Sequence, residues 1–167
     1  MTSPEPETPE QSEETAQPEE SRLYHISFER LAELKRSAIL LLAERRTPSC
    51  PSLQRPDQEL SDPQELVDEI AQYCGDEEGF IHINMAIQEI LFRTLLARRN
   101  QPTSLHDLHY ELTERWSTPI RPINVTQDGL RRILEADDYY GFASISLEEA
   151  EALRRPRARR RSARRSE

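Results

Sequence analysis

A chain of 167 residues is long enough for one folded domain with flanking segments, and its apolar content of 35% is low for a globular protein. The net charge of −9 argues against a globally basic nucleic-acid binder, but it hides an asymmetry between the two ends. Residues 1–20 hold seven glutamates and no basic residue, whereas residues 154–167 hold eight arginines and one glutamate. Such asymmetry is typical of interaction tails.

Several protein classes are excluded by what the sequence lacks. Two cysteines are too few for a disulfide framework. No apolar run approaches the ~20 residues that a membrane-spanning helix requires. The N-terminal sequence has neither the basic region nor the apolar core of a signal peptide. We therefore expect a cytoplasmic protein without a membrane span.

Residues 1–20 are rich in Pro, Glu, Ser, Thr and Gln, with no large apolar residue after Met1. This composition predicts disorder, because nothing in the segment can anchor it to a core. Two interpretations of the acidic tail stay open. It either keeps the chain soluble or occupies a basic surface until a partner arrives.

The next stretch predicts a short strand at residues 23–26, followed by a long helix. Ser27 is a suitable N-cap, and apolar residues then recur at steps of three and four from Phe28 to Leu42. This spacing predicts a single helix over residues 27–46. Its apolar face consists of Phe28, Leu31, Leu34, Ala38, Ile39 and Leu42.

A proline-rich linker and a second helix follow. Prolines break the stretch 47–62, and Cys50, which lies between two of them, is expected to be exposed. Asp62 as N-cap predicts a helix over residues 63–74. Gly75 is expected to end this helix in the left-handed conformation that suits glycine.

Three helices are predicted in quick succession after a brief strand at residues 80–83. The first, capped by Asn84, covers about residues 85–99, and its broad apolar surface predicts burial on more than one side. The second covers about residues 105–116, and the third about residues 127–136. The connection between the second and third helices contains two prolines and is expected to be irregular.

The third helix has clear start signals, and an aromatic segment follows it. Thr126 caps the helix, while Val125 and Leu130 stand at the positions of a hydrophobic staple. Tyr139, Tyr140 and Phe142 around Gly141 predict a short strand of a wing. A capping box formed by Ser146 and Glu149 begins a last short helix that extends through Leu153.

Over residues 84–142 this order of elements resembles the winged-helix and helix-turn-helix superfamily. The resemblance implies a mostly helical fold in which residues 80–153 form a winged-helix-like domain with a three-helix core. Two additional N-terminal helices and disordered tails complete that expected architecture. The connection 117–125 is longer than the turn of the simplest helix-turn-helix, a departure that winged-helix proteins tolerate.

The same resemblance implies a non-catalytic role in binding nucleic acid, with DNA expected before RNA, in regulation or as an accessory factor. The third helix would enter the groove with Gln127, Arg131 and Arg132 as contacts. The arginine-rich tail would add affinity without sequence preference through counterion release. Its basic residues are Arg154, Arg155, Arg157, Arg159, Arg160, Arg161, Arg164 and Arg165.

The alternative is a protein–protein interaction adaptor or assembly factor. The chain is acidic outside its basic tail, and many winged-helix domains bind proteins. In this interpretation the tail docks on RNA or on an acidic partner. Trp116 is expected in the core, whereas Tyr139 and Tyr140 are either core residues or part of a binding patch.

Residues for catalysis or metal binding are scarce. There is no glycine-rich phosphate loop and no nucleophile elbow. His106 and His109 have a spacing compatible with a shared metal, but the four ligands of a structural zinc site are missing. We therefore expect no enzymatic activity, no cofactor and no metal.

Overall fold

The computed structural model describes residues 22–55 and 59–155, which form a mostly helical structure with a small sheet. The elements are β1 (Arg22–Ile26), α1 (Phe28–Glu33), α2 (Ala38–Ala43), α3 (Pro63–Tyr73), α4 (Ile87–Ala97), β2 (Thr103–Ser104), α5 (Leu105–Tyr110), α6 (Gln127–Glu135), β3 (Phe142–Ser146) and α7 (Leu147–Arg154). A 3-10 turn at Pro51–Gln54 precedes α3, and a π-helical turn at Glu111–Arg115 extends α5.

The strand β1 lies in the middle of the sheet, with β2 and β3 antiparallel on either side. Arg22 at its start lies opposite Ser146, and Ile26 at its end lies opposite Phe142. Tyr24 and Ile26 are buried, so one face of the strand packs on the core. The predicted first strand is confirmed, and it joins a sheet whose other strands come from the second half of the chain.

The central helix α4 is buried around most of its circumference, as its broad apolar surface predicted. It packs against α3, β1 and the π-helical turn. Burying each of its large apolar side chains contributes about 1.5–3 kcal/mol. The fully buried ones are Ile90, Leu91, Phe92, Leu95 and Leu96.

The single helix predicted for residues 27–46 is wrong. The structure has two short helices, α1 and α2, because Lys35 adopts a left-handed conformation with φ of 57°. The N–H of Arg36 bonds back to the carbonyl of Leu31 (2.9 Å), which satisfies the end of α1. Ser37 then caps α2. The apolar spacing continues across this break, so periodicity alone could not reveal it.

The expectation that Cys50 is exposed is also wrong. Cys50 is fully buried and forms a disulfide with Cys74, with their Cα atoms 6.5 Å apart. The turn Pro51–Gln54 folds this loop onto α3, where the N–H of Ser52 donates to the Glu69 carboxylate (2.7 Å). Two cysteines distant in sequence therefore meet through tertiary packing.

Gly75 follows α3, but not in the left-handed conformation that was expected, since φ is positive only at Gly79 and Gly141 among the described glycines. A Cβ at Gly75 would lie 3.0 Å from the carbonyl oxygen of Ala71 and 3.2 Å from the Cα of Ala97. Glycine at this position therefore permits the close approach of α3 and α4.

Two expectations about the start of α4 are wrong. Residues 80–83 form no strand, and Phe80 is instead buried in a turn. The helix begins at Ile87 after Ala86, which offers no side-chain cap, rather than after Asn84. Burial of the helix supplies the stability that a cap would otherwise add.

Candidate nucleic-acid interface

The helix proposed to contact nucleic acid, α6, is held at its start by two contacts. Thr126 caps it by accepting a hydrogen bond from the N–H of Gly129 (3.0 Å), as its sequence predicted. His109 on α5 donates from Nε2 to the carbonyl of Val125 (2.6 Å), the residue before the cap. Leu130 and Leu134 are fully buried on the inner face. The opposite face of α6 is polar and faces solvent.

The charged residues of that outer face neutralise one another. Arg131 is ion-paired with Asp128 and, at 3.5 Å, with Glu135. Arg132 reaches the other oxygen of Asp128 at 3.0 Å. These four residues, here called the α6 cluster, carry no net charge. The arginines also hold the pKa of Asp128 below its usual value, so it stays ionised.

Gln127, the third contact predicted on α6, is engaged with α5. Its side-chain amide donates to Nδ1 of His106 at 3.3 Å, near the solvent. The two histidines that a shared metal would need are therefore both occupied by hydrogen bonds. Among residues 22–55 and 59–155, no group of three or more His, Cys, Asp or Glu side chains is arranged to hold a metal.

The arginine-rich segment begins at the end of α7, where Arg154 and Arg155 are exposed. Ser146 and Glu149 form the predicted capping box at the other end of this helix. The remaining predicted contacts and the acidic tail 1–20 lie outside the described residues. Those contacts are Arg157, Arg159, Arg160, Arg161, Arg164 and Arg165.

An open cleft of about 460 Å³ lies beside α6. Arg132 and Ile133 line it from the helix, and Tyr139 and Tyr140 line it from the following segment. Asp137 and Asp138 also line the cleft, and their negative charge disfavours a phosphate there. The Arg132 side chain is 75% exposed, so its guanidinium is accessible at the edge of the cleft.

A second arginine cluster, which no local sequence pattern indicates, is buried beneath the first turn of α4. Arg45 donates from Nε and Nη2 to the two oxygens of Glu89, at 3.1 and 2.9 Å. Arg93 donates to the same carboxylate at 2.8 Å. Arg45 also donates to the carbonyl of Leu41 at the end of α2. These three charged residues, here called the α4 cluster, tie α2 to α4.

The protonation states of the α4 cluster are strongly biased. Burial disfavours a charged Glu89, but hydrogen bonds from Arg45, Arg93 and Tyr140 outweigh it and lower the pKa of Glu89 from 4.5 to about 2. Burial and the bond to Glu89 raise the pKa of Tyr140 to about 12. Neither group exchanges protons near pH 7, so the pair is poorly suited to acid–base catalysis.

The aromatic segment after α6 is built around the carboxylate of Asp137. It accepts hydrogen bonds from four successive backbone N–H groups, those of Tyr139, Tyr140, Gly141 and Phe142, at 2.8–3.1 Å. The strand β3 therefore begins at Phe142 and runs to Ser146, later than the strand predicted from Tyr139 to Phe142. The sequence does not predict this turn, because an aspartate after a helix does not reveal how many backbone N–H groups its carboxylate will accept.

The aromatic residues of this segment belong to the core more than to a patch. Tyr140 packs on Phe92 with ring centroids 5.2 Å apart and stacks on Phe142. Tyr139 is half-buried under the guanidinium of Arg36, 3.9 Å from the ring centroid. Trp116 also packs against the core, as expected.

None of the helices in the described part of the chain is long and apolar enough to cross a membrane. No protein-family model, curated protein or solved structure matches the chain.

Proposed function

We propose that the chain is a non-catalytic nucleic-acid-binding protein of the cytoplasm, with duplex DNA as its main ligand and a regulatory or accessory role. The observation that carries this proposal is the concentration of eight arginines in residues 154–167 against a single glutamate. Each arginine that neutralises a phosphate releases a counterion, so such a segment binds nucleic acid without reading its sequence. Arg154 and Arg155, at the exposed end of α7, would begin this contact.

In this proposal α6 orients the protein on the duplex and contributes little affinity. Its outer face is exposed and it packs on α5, which supports a helix-turn-helix arrangement of the winged-helix type. Arg131 and Arg132 are already paired with Asp128 and Glu135, so a phosphate must replace a carboxylate partner. Such an exchange gains little free energy, because one ionic contact is lost for each one formed.

Fluorescence anisotropy with labelled duplex DNA and RNA of equal length tests the proposal. The full chain would be compared with a variant in which all eight arginines of residues 154–167 are glutamine, and with Arg131→Ala/Arg132→Ala. We expect the first variant to lose at least about 100-fold in affinity and the second to lose about two- to fivefold. Equal binding by wild type and the eight-arginine variant would exclude the segment as the source of affinity.

A second candidate function, protein–protein adaptor, is favoured by apolar side chains on the outer surface. Ile120 is 92% exposed in the loop after α5, and Tyr110 on α5 is 60% exposed. A partner that covers these side chains would gain the free energy of burying their apolar surface. The variant Ile120→Ser should weaken the binding of such a partner and leave the affinity for DNA unchanged.

A further inference from the structure

A second cleft, of about 370 Å³, lies between the turn of residues 75–79, which follows α3, and the π-helical turn after α5. Its volume falls within the range of about 300–1,000 Å³ that is typical of ligand sites. Ile81, Ala97 and Trp116 supply apolar surface to it. None of its described lining residues belongs to α6, so the cleft is separate from the proposed nucleic-acid interface.

The turn that forms one wall is fixed at both ends. At its start, Cys74 is buried and joined to Cys50 by the disulfide. At its end, Phe80 is buried, and its carbonyl accepts a hydrogen bond from Arg93 (2.8 Å). The N–H of Glu77 donates back to the carbonyl of Cys74 (3.1 Å). This wall is therefore in place before a ligand binds, which reduces the entropy lost on binding.

The opposite wall is the π-helical turn Glu111–Arg115, which Trp116 follows. Such turns are rare and frequently occur at functional sites. Arg98 and Arg115 both contact Glu111, at 3.1 and 3.6 Å, so the two guanidinium groups share one carboxylate. The indole N–H of Trp116 is buried and has no hydrogen-bond partner among the described residues. An acceptor that reaches this N–H would remove an unfavourable state.

Negative charge in the cleft exceeds positive charge. Four carboxylates and two guanidinium groups line it. Among the described residues, no ion pair joins Asp76, Glu77 or Glu78 of the turn to a cation. In the same part of the chain, no group of three or more carboxylate, His or Cys side chains is arranged to hold a metal. The uncompensated charge therefore favours an organic cation.

We propose that this cleft binds an arginine side chain of a basic peptide segment in a partner protein. A planar guanidinium donates paired hydrogen bonds to carboxylates and packs on aromatic rings, so it matches both walls. The ring of Trp116 already receives the guanidinium of Arg115, 5.3 Å from its centroid. The methylene groups of the bound side chain cover Ile81, and a peptide carbonyl supplies the acceptor that the indole N–H lacks. The site requires neither α6 nor residues 154–167, so it goes beyond the proposed binding of nucleic acid.

The fluorescence of Trp116 tests the proposal, because Trp116 is the only tryptophan of the chain and lies in the cleft. The full chain would be titrated with a peptide of arginines separated by glycines, and with the same peptide carrying neutral citrulline in place of arginine. We expect a saturable change in emission with the first peptide and none with the second. The affinity should fall as salt rises from about 0.05 M to about 0.5 M. No change, or an equal change with both peptides, overturns the proposal.

Matched variants separate the cleft from general attraction to an acidic chain. Glu77→Gln/Glu78→Gln should weaken binding of the arginine peptide about three- to tenfold, because two ionic contacts are lost. Glu148→Gln/Glu151→Gln removes the same charge from exposed positions on α7 and should change the affinity less than about twofold. Equal weakening in both variants would contradict the site.

A third variant separates this proposal from the proposed function. Arg131→Ala/Arg132→Ala should bind the arginine peptide as the wild type does, because α6 does not line the cleft. Saturable peptide binding by a chain that binds no DNA would support this proposal and refute the proposed function.

Discussion

Two clusters of arginine and carboxylate in this protein have similar composition but opposite settings. In the α6 cluster the Arg132 side chain is 75% exposed and the Asp128 side chain 53%. In the α4 cluster the Arg45 side chain is 8% exposed and the Glu89 side chain 14%. Water competes for every contact in the first cluster and for few in the second.

This difference decides what each cluster can do. Exposed ion pairs contribute about 0–1 kcal/mol, so the α6 cluster can exchange its partners for a ligand at little cost to the fold. Removing one member of a buried pair leaves an uncompensated charge, so the α4 cluster cannot release its arginines. Arginine content alone therefore does not identify a binding surface, because burial or exposure decides whether an arginine can exchange its partner.

The largest expected effect is on stability, from Glu89→Gln. This change leaves Arg45 buried beside a neutral amide and should lower the free energy of unfolding by about 3–5 kcal/mol. The matched change Glu135→Gln in the α6 cluster should cost about 0.5 kcal/mol or less. Urea unfolding monitored by circular dichroism measures both. Similar losses in the two variants would remove the distinction between the clusters.

Acidification should lower the free energy of unfolding through the Glu89 carboxylate. The pKa of Glu89 is about 2 in the folded protein against an ordinary value of 4.5, so unfolding takes up a proton below pH 4.5. Its contribution, up to about 3 kcal/mol, is complete above pH 4.5 and is lost as pH falls towards 2. Urea unfolding at a series of pH values should show this loss in wild type. The Glu89→Gln variant should lack this part of the acid-induced loss of stability. An equal loss in wild type and variant would show that other groups cause it.

A smaller effect is expected at the turn between α6 and β3. Asp137→Ala removes the acceptor of four backbone N–H groups and should cost about 2 kcal/mol. Its neighbour Asp138 is exposed, so Asp138→Ala should change stability by about 0.5 kcal/mol or less. Thermal unfolding of the two variants side by side gives the comparison. Equal unfolding midpoints in the two variants would show that the hydrogen bonds to Asp137 contribute no measurable stability.

Local signals in the sequence predicted several helix starts correctly, although Asn84 does not cap α4. Ser27, Asp62, Thr126 and Ser146 all accept the capping hydrogen bond expected of them. A cap depends on three or four neighbouring residues, so the sequence contains all the information needed. The third helix was predicted correctly for the same reason, together with its buried Leu130 and Leu134.

Features created by distant residues could not be predicted in this way. The buried Cys50 and the close approach at Gly75 each depend on packing between elements far apart in sequence. The same holds for the α4 cluster and for the central position of β1. In the proposed interface, Asp128 and Glu135 stand three or four residues from Arg131 and Arg132. Ion pairs form at this spacing on a helix, so the sequence could predict that these carboxylates dilute the positive charge, and the structure contains the pairs.

The salt dependence of DNA binding tests the central claim most directly, namely that residues 154–167 supply the affinity. The logarithm of the binding constant falls with that of salt by about 0.9 for each phosphate neutralised, so eight arginines set a limit of about −7. We predict a slope between about −4 and −7 for the full chain and one shallower than about −2 when the eight arginines are glutamine. An unchanged slope in that variant would contradict the claim and move the phosphate contacts to the folded surface.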